Sequence, residues 1–358
     1  MSWIFTGEVG EFLAEAGDFL RAEPVRNSVL LTVTENLRVQ AAAQSPPAAP
    51  DTRTPGPDQP LFGWWRPSAR PDPQAAPDPH AARNPQAAPD PQAARDPQAA
   101  PDPQAARNPQ AAPDPVSAVF LHTPEFPVNL SFMSPPAAAE LARDLAAAGR
   151  RLTGVHAGQE AAEAFAAAWR HRTGDIVAVH RLMRLFRLAE LIRPEPGPAG
   201  AARLAARRDR DLLTEWFDAF VRDVGDPPGQ DHGAAVDQRL GYGGLALWEV
   251  SGTPVSMAGV TRSVAGMVRV GSVYTPPALR GHGYAGAVTA AVSRAARDAG
   301  VREVVLFTDL ANPTSNALYQ RLGYRPVEDR VTFSFKRTRH ALGFTGERTR
   351  GLRPAGRR

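Results

Sequence analysis

The 358-residue chain contains no cysteine. That absence removes disulfide frameworks, thiolate nucleophiles and every cysteine-ligated zinc or iron–sulfur site. Histidine alone would have to carry a metal, and none is expected. Lysine is almost as scarce, Lys336 being the only one. A phosphate-binding loop of the Gly-Lys-Ser/Thr kind is therefore excluded, and the place of Lys336 beside an arginine-rich tail argues against Schiff-base chemistry. Long apolar runs are missing as well, since no window approaches the roughly 18 uninterrupted residues of a membrane span. The first twenty residues carry Glu8, Glu11, Glu15 and Asp18 with no basic residue ahead of an apolar run, the reverse of a secretory signal. A soluble cytoplasmic protein is expected.

Proline, by contrast, is abundant. The 36 prolines are about one residue in ten, roughly twice ordinary usage, so part of the chain is not packed. Hydrophobic residues still make up 43%, enough for real cores, and the length exceeds what one compact domain usually needs. The net charge of +4 has a local origin: residues 336–358 carry eight basic side chains against Glu347, a net of +7, which leaves the rest near −3. Nucleic-acid binding needs a basic stripe on the fold itself. None is expected of the folded part, and only the tail offers a weak avenue to nucleic acid.

From Asp72 to Pro113 the chain is seven hexads of the form Asp/Asn-Pro-Gln-Ala-Ala-Pro/Arg, with His80 the only internal variant. Frequent proline and the lack of large apolar or β-branched side chains mean this segment cannot bury surface to offset its chain entropy. It reads as an extended, disordered insert, most simply a neutral repeat expansion at the tip of a hairpin, where insertions are tolerated best.

With the insert set aside, one rhythm occurs twice: strand, two helices, three strands, helix, strand, helix, strand. In the first half the helices are carried by Phe12 to Leu20 and by a run opening at Pro24. Strands follow at Leu61 to Trp65, Val116 to His122 and Phe126 to Met133, then helix, strand and helix to His171 and a strand from Ile176 to Leu188. The second half begins with a strand near Arg203 to Ala206 and a helix capped by Asp209. Strands at Leu245–Trp248, Val255–Thr261 and Val268–Thr275 lead to a helix from Gly283 to Ala299, a strand from Glu303, a helix with Pro313 in its first turn and a last strand from Val331 to Phe335. The expected fold is α/β of the α+β type: a mixed, mostly antiparallel sheet flanked by helices, in two similar halves. The divisions are residues 1–195 with the insert at 67–115, residues 200–336, and a basic tail at 337–358.

Chemistry concentrates in Val270-Gly-Ser-Val-Tyr-Thr-Pro-Pro-Ala-Leu-Arg280-Gly-His-Gly-Tyr-Ala285, a strand running into a glycine-rich turn that opens a helix. Gly281 and Gly283 let the main chain curl close to an anion, and the unpaired N–H groups of a first helical turn add the positive end of the macrodipole. Arg280 brings a full charge beside them. Glycine at such a turn also serves packing alone. About thirty residues on stands Phe307-Thr-Asp-Leu-Ala-Asn312-Pro-Thr-Ser315-Asn-Ala-Leu-Tyr319-Gln-Arg-Leu-Gly323-Tyr324. Tyr319 lies seven residues after Asn312, two helical turns along one face, so both can look into one cleft.

Together the two stretches resemble the GNAT superfamily of acetyl-CoA-dependent N-acetyltransferases, whose glycine motif Arg/Gln-x-x-Gly-x-Gly/Ala is followed by Asn and Tyr seven apart and by Leu-Gly-Phe/Tyr. The resemblance is firm over 203–335. It implies that backbone groups of Val273 and Thr275, flanking Tyr274, pair with the pantetheine arm of acetyl-CoA. It implies too that the amides of Gly281, His282, Gly283, Tyr284 and Ala285 hold the pyrophosphate, with Asn312 and Ser315 touching the coenzyme arm. Tyr319 matches the tyrosine facing the thioester sulfur, and an N–H near Val273 would polarise the acetyl carbonyl.

A tyrosine with pKa near 10 can return a proton to a thiolate with pKa near 8.5. Glu249, at the end of its strand, stands where the family often puts a carboxylate base acting through water, and Asp309 is the second candidate. His282 is expected to face solvent or a coenzyme phosphate. Where the first half should carry a glycine turn stands Phe132-Met-Ser-Pro-Pro136, whose two prolines lack amide donors. That half therefore reads as a degenerate, non-catalytic copy. The implied activity is acetyl transfer from acetyl-CoA to a primary amine of a small molecule or peptide. The alternatives are an acyl-CoA-binding sensor without turnover, or an enzyme for a longer acyl chain. No membrane partner is expected, and the acceptor and oligomeric state stay open.

Deleting Asp72 to Pro113 should leave the melting temperature within a few degrees, because loop length enters closure entropy only logarithmically. A drop of ten degrees or more in a thermal melt would show that the repeats are packed.

Overall fold

A computed structural model describes residues 2–43, 56, 59–67, 114–225 and 232–337. The repeat tract and the basic tail beyond Arg337 lie outside the described residues. The first half runs β1 (Ser2–Thr6), α1 (Val9–Ala22), α2 (Ser28–Ala43), β2 (Leu61–Arg66), β3 (Ala118–His122), β4 (Val128–Leu130), α3 (Pro135–Ala147), β5 (Gly154–Gly158), α4 (Gln159–Thr173) and β6 (Ile176–Leu188). The second repeats that order with β7 (Ala201–Leu204), α5 (Arg210–Val224), α6 (His232–Gly241), β8 (Leu245–Val250), β9 (Thr253–Val260), β10 (Met267–Tyr274), α7 (Tyr284–Asp298), β11 (Glu303–Asp309), α8 (Pro313–Arg321) and β12 (Tyr324–Lys336). The mixed, helix-flanked sheet read from the pattern is thus the observed fold.

All twelve strands form one sheet in the order β1-β2-β3-β4-β5-β12-β6-β11-β10-β9-β8-β7. Only β4 with β5 and β10 with β11 run parallel, each pair joined through a helix as parallel neighbours require. The last strand of each half is exchanged. β12 pairs with β5 of the first half, β6 pairs with β11 of the second, and the two exchanged strands pair with each other from Tyr324↔Leu188 to Lys336↔Ile176. A pseudo-two-fold passes between them, where Asp329 faces Arg184 and Arg330 faces Met183.

The cores follow the same exchange. On one face, Leu141 and Leu145 of α3 and Phe165 and Trp169 of α4 pack with Phe120 and Val155, and the cluster is completed by Val331 and Phe335 from β12. In the second half, Val268, Val270, Val288, Leu306 and Tyr319 are joined by Phe186 and Leu188 from β6. On the opposite face, α1 presents Phe12, Ala16 and Leu20 at four-residue spacing, and Leu185 of β6 packs there with Met267 and Val305. Burying each large apolar side chain is worth about 1.5–3 kcal/mol, so each half depends on the other for several such contributions.

Some boundaries differ from the sequence pattern, each for a local reason. The strand read over Phe126–Met133 is only Val128–Leu130, because Pro127 has no N–H to give a ladder. The final strand begins at Tyr324 rather than Val331 and accommodates Pro326 at a register shift before Glu328. The strand near Arg203 to Ala206 is Ala201–Leu204, and α2 opens at Ser28 rather than Pro24. The opening strand of the first half, for which no residues stood out, is Ser2–Thr6. Trp65 pairs with Ala118, and Ser117 N–H donates to Trp65 O at 3.0 Å, so the chain closes a β2–β3 hairpin on either side of the repeats.

A fragment of residues 199–358 strips β11 of β6 and should fail to give a cooperatively melting monomer, whereas co-expression with residues 1–198 should restore one. A soluble, cooperatively folded monomer of the fragment alone would show that β12 can refill the place of β6 at no great cost.

Candidate functional site

Strands β10 and β11 separate midway. Their parallel register runs from Met267↔Glu303 to Val270↔Leu306 and then stops. Beyond it, β10 follows β9 with a register shift between Gly271 and Tyr274, and Ser272 takes a φ of +50°. Strand β11 instead continues along β6 through Asp309. The gap between them is walled on one side by the main chain of Gly271 to Tyr274.

At the mouth of this gap the chain turns through Gly281 and Gly283, with φ of +83° and +81°. Side-chain-bearing residues enter that left-handed region at a cost of about 1–2 kcal/mol. A Cβ on Gly281 would meet nothing within 4 Å, and one on Gly283 only the Pro198 ring at 3.8 Å, so the space above the turn is open. The first intrahelical bond of α7 is Ala287 N–H to Gly283 O at 3.0 Å. Among the described residues, no acceptor meets the amides of Gly281, His282, Gly283, Tyr284, Ala285 and Gly286. Successive amides without an acceptor at the positive end of a 15-residue helix are an arrangement that suits an anion.

The side chains around the turn have settled duties. Arg280 donates through Nε to Thr275 O at 2.9 Å, pairs with Asp223 at the end of α5, and lies 5.9 Å from the Tyr274 ring centre. Its charge is thus answered, and it bolts α5 to the turn rather than adding a free cation. The His282 ring stacks on Tyr284 at 5.5 Å, with Nδ1 beside the carbonyls of Arg280 and Leu279 at 3.0 and 3.2 Å. Tyr274 turns its ring into the opposite core, 6.0 Å from Trp216, so only its main chain can serve the gap. The Thr275 hydroxyl meets Ser256 at 2.9 Å.

Across the gap, Asn312 caps α8, its Oδ1 accepting from Ser315 N–H at 3.0 Å. Pro313 takes the first helical position, where its missing N–H costs nothing. Two turns on, Tyr319 is buried at 8% exposure, edge-on to Tyr324 at 6.1 Å. The Tyr324 hydroxyl bonds Ser293 at 2.6 Å, whereas that of Tyr319 has no hydrogen-bond partner among the described residues. Burial pushes the Tyr319 phenol up to about 12.

The two carboxylates are placed differently. Glu249 stands on β8, two strands from β10, with Oε1 2.7 Å from Arg203 Nε. Arg203 also forks Asp209 at 2.7 and 2.8 Å, and that bonding holds the Asp209 carboxyl below its usual range. Asp309 ends β11, 3.7 Å from Arg181 of β6, and accepts from Ala311 N–H at 2.8 Å. Arg181 also donates to Val224 O at 2.5 Å. A strand of the first half thereby fastens the end of α5 near the end of β11, an arrangement no local sequence signal reveals. The linker between the halves contributes as well, Pro198 lying over Gly283 and Pro194 3.9 Å from a Cβ on Gly286.

The corresponding place in the first half is filled. Its parallel pairing ends at Asn129↔His156, and α3 opens with Pro135 and Pro136, without amides to offer. Arg330, 5% exposed, reaches in to give Nη2 to Leu130 O at 2.6 Å and Nη1 to Glu328 at 3.0 Å. Among the described residues, no group of three or more histidine and carboxylate side chains could hold a metal, and no helix is long and apolar enough to cross a membrane.

Residues 210–324 match the model of the acetyltransferase (GNAT) family, and this segment is a GNAT-family domain. Solved structures of similar shape include a GCN5-related N-acetyltransferase from Sphaerobacter thermophilus, 19% identical over 64% of this chain and 84% of that one, with a TM-score of 0.46. A GNAT-family acetyltransferase from Colwellia psychrerythraea is 12% identical over 62% and 82%, with a TM-score of 0.45. A predicted acetyltransferase of Clostridium acetobutylicum, solved with acetyl-CoA, is 17% identical over 36% and 90%, with a TM-score of 0.30. No curated protein matches the chain.

Gly283→Ala should cost about 1–2 kcal/mol of stability through its left-handed φ and leave the amides usable. Gly283→Glu adds a carboxylate at the positive helix end and should weaken binding of acetyl-CoA by a further factor of about 10², measured by calorimetry. Equal affinity in both folded variants would make the turn a packing device only.

Proposed function

We propose that the chain moves the acetyl group of acetyl-CoA onto a primary amine of a small molecule or peptide by direct attack of the amine on the thioester. The carrying observation is a conjunction: unanswered amides at 281–286 on one side of the strand gap and, on the other, the buried Tyr319, whose hydroxyl has no hydrogen-bond partner among the described residues. Open space above two left-handed glycines, and a main chain along Gly271–Tyr274 that β11 no longer pairs, suit an extended coenzyme with a central pyrophosphate. When bound, acetyl-CoA would supply an activated acyl group whose departing sulfur needs a proton.

In this reading the amides of Gly281 to Ala285 hold the pyrophosphate, and the main chain of Val273 and Thr275 aligns the pantetheine arm. Arg280 already occupies the Thr275 carbonyl, which leaves the amide on that residue for the arm. An N–H near Val273 polarises the acetyl carbonyl, while Asn312 and Ser315 border the arm from α8. Tyr319 is the proton donor. Its phenol, raised to about 12 by burial, keeps its proton at any working pH. The same poor solvation that disfavours a tyrosinate disfavours a thiolate, so the mismatch between them stays near the difference of their ordinary values, roughly 1.5 units. Glu249 is the candidate base acting through water, under the constraint that Arg203 already holds one of its oxygens. Asp309 is the second candidate, and the first half, with Arg330 in its cleft, serves as a non-catalytic wall.

Thiol release from acetyl-CoA against a panel of amines tests the reaction, and no release with any of them would leave a coenzyme-binding module. Tyr319→Phe should lower kcat about 10²-fold while the Kd of acetyl-CoA stays within a few-fold. With the phenol near 12, any alkaline fall in wild-type kcat below about pH 11 must come from another group. Wild-type turnover in the phenylalanine variant would remove the acid role. Glu249→Gln should weaken the acidic limb of the profile if that carboxylate draws the proton of the amine.

A further inference from the structure

At the end of the sheet away from the strand gap lies an open cavity of about 520 Å3. Its lining combines Leu188, Ala189, Pro326 and Val327 with Arg187, Arg297, Arg302 and Arg325. The register shift of β12 between Pro326 and Glu328 borders it, and such bulges re-aim side chains where a sheet opens. Arg297 stands in the last turn of the 15-residue α7, so the cavity is about 20 Å from the glycine turn at the start of that helix.

Several arginines elsewhere in the fold are answered by carboxylates. Arg38, Arg66, Arg184, Arg203 and Arg210 each meet a carboxylate. Here only Arg187 does so, its guanidinium forked on Glu303 at 2.6 and 2.7 Å. Arg297 donates to the carbonyls of Arg302 and Leu188 at 2.5 and 2.9 Å. Arg302 donates to Ala265 O at 3.4 Å, and Arg325 to the carbonyls of Gln320 and Tyr324, both at 3.1 Å. Among the described residues these three have no ion pair. Backbone carbonyls fix where they stand without cancelling their charge, and each guanidinium has five N–H groups, most of them still free. Three cations held in place around a half-apolar hollow form a prepared site for an anion with several oxygens.

We propose that this cavity binds a small phosphate-bearing molecule, its phosphate between Arg297, Arg302 and Arg325 and its apolar or ring portion against Pro326 and Val327. Inorganic pyrophosphate is the probe, titrated calorimetrically at constant ionic strength. The glycine turn also attracts pyrophosphate, so the titration is run in the Gly283→Glu variant as well as in the wild type. One site should persist in Gly283→Glu. Adding Arg302→Gln and Arg325→Gln should weaken that site at least 30-fold and leave the melting temperature nearly unchanged, since both side chains donate hydrogen bonds only to carbonyls. The same two substitutions in the wild-type background should leave acetyl-CoA affinity unaltered, which separates this cavity from the site proposed for the coenzyme. No binding in a folded Gly283→Glu, or equal affinity after both glutamine substitutions, would overturn the proposal.

Discussion

The pairing of β6 with β12 is the interaction on which the rest of the molecule depends. Each strand is the last of its own half, yet each completes the sheet of the other, and their mutual register runs from Tyr324↔Leu188 to Lys336↔Ile176. Two open sheets, each with an exposed edge at β5 or β11, are thereby closed into one without an unpaired strand at its centre. The exchange also decides where the second half gets its cleft wall. Strand β11 can leave β10 after Leu306 because β6 supports it from the other side through Asp309.

The two halves use the same splayed pair to opposite ends. In the second, left-handed glycines and free amides leave the opening to be occupied from outside. In the first, Arg330 is drawn below the ordinary arginine range by burial and held by Glu328 and the Leu130 carbonyl, which places a side chain where an outside group would otherwise sit. A buried cation of this kind is tolerated only with its partners present. Pro135 and Pro136 are compatible with that state, since no amide is needed at the start of α3.

Much of this was legible in the sequence because the signals were local. The glycine turn and the Asn312–Tyr319 spacing each fall within one helix or one strand-turn-helix, and the repeated order of elements is a sum of such local signals that periodicity reports one by one. What stayed hidden is long-range. Nothing near Arg181 announces that it fastens α5 beside Asp309, and nothing near Arg330 announces that it fills a cleft some two hundred residues earlier in the chain. Pro326 reads as a strand breaker until the partner strand shows the bulge that accepts it. Arg280 reads as a free charge until Asp223 is seen beside it, and Glu249 as a free carboxylate until Arg203 is. Ion pairing between distant elements is what a single sequence withholds.

The filled cleft and the open one also differ in what sustains them. Arg330 is covalently part of the chain, so the first half carries its filler at unit occupancy under all conditions. The second half gains the corresponding stabilisation only in proportion to RT ln(1 + [L]/Kd) for whatever molecule enters it. Were a ligand to bind there, its absence would leave the β10–β11 side without that stabilisation, so local opening would start on that side.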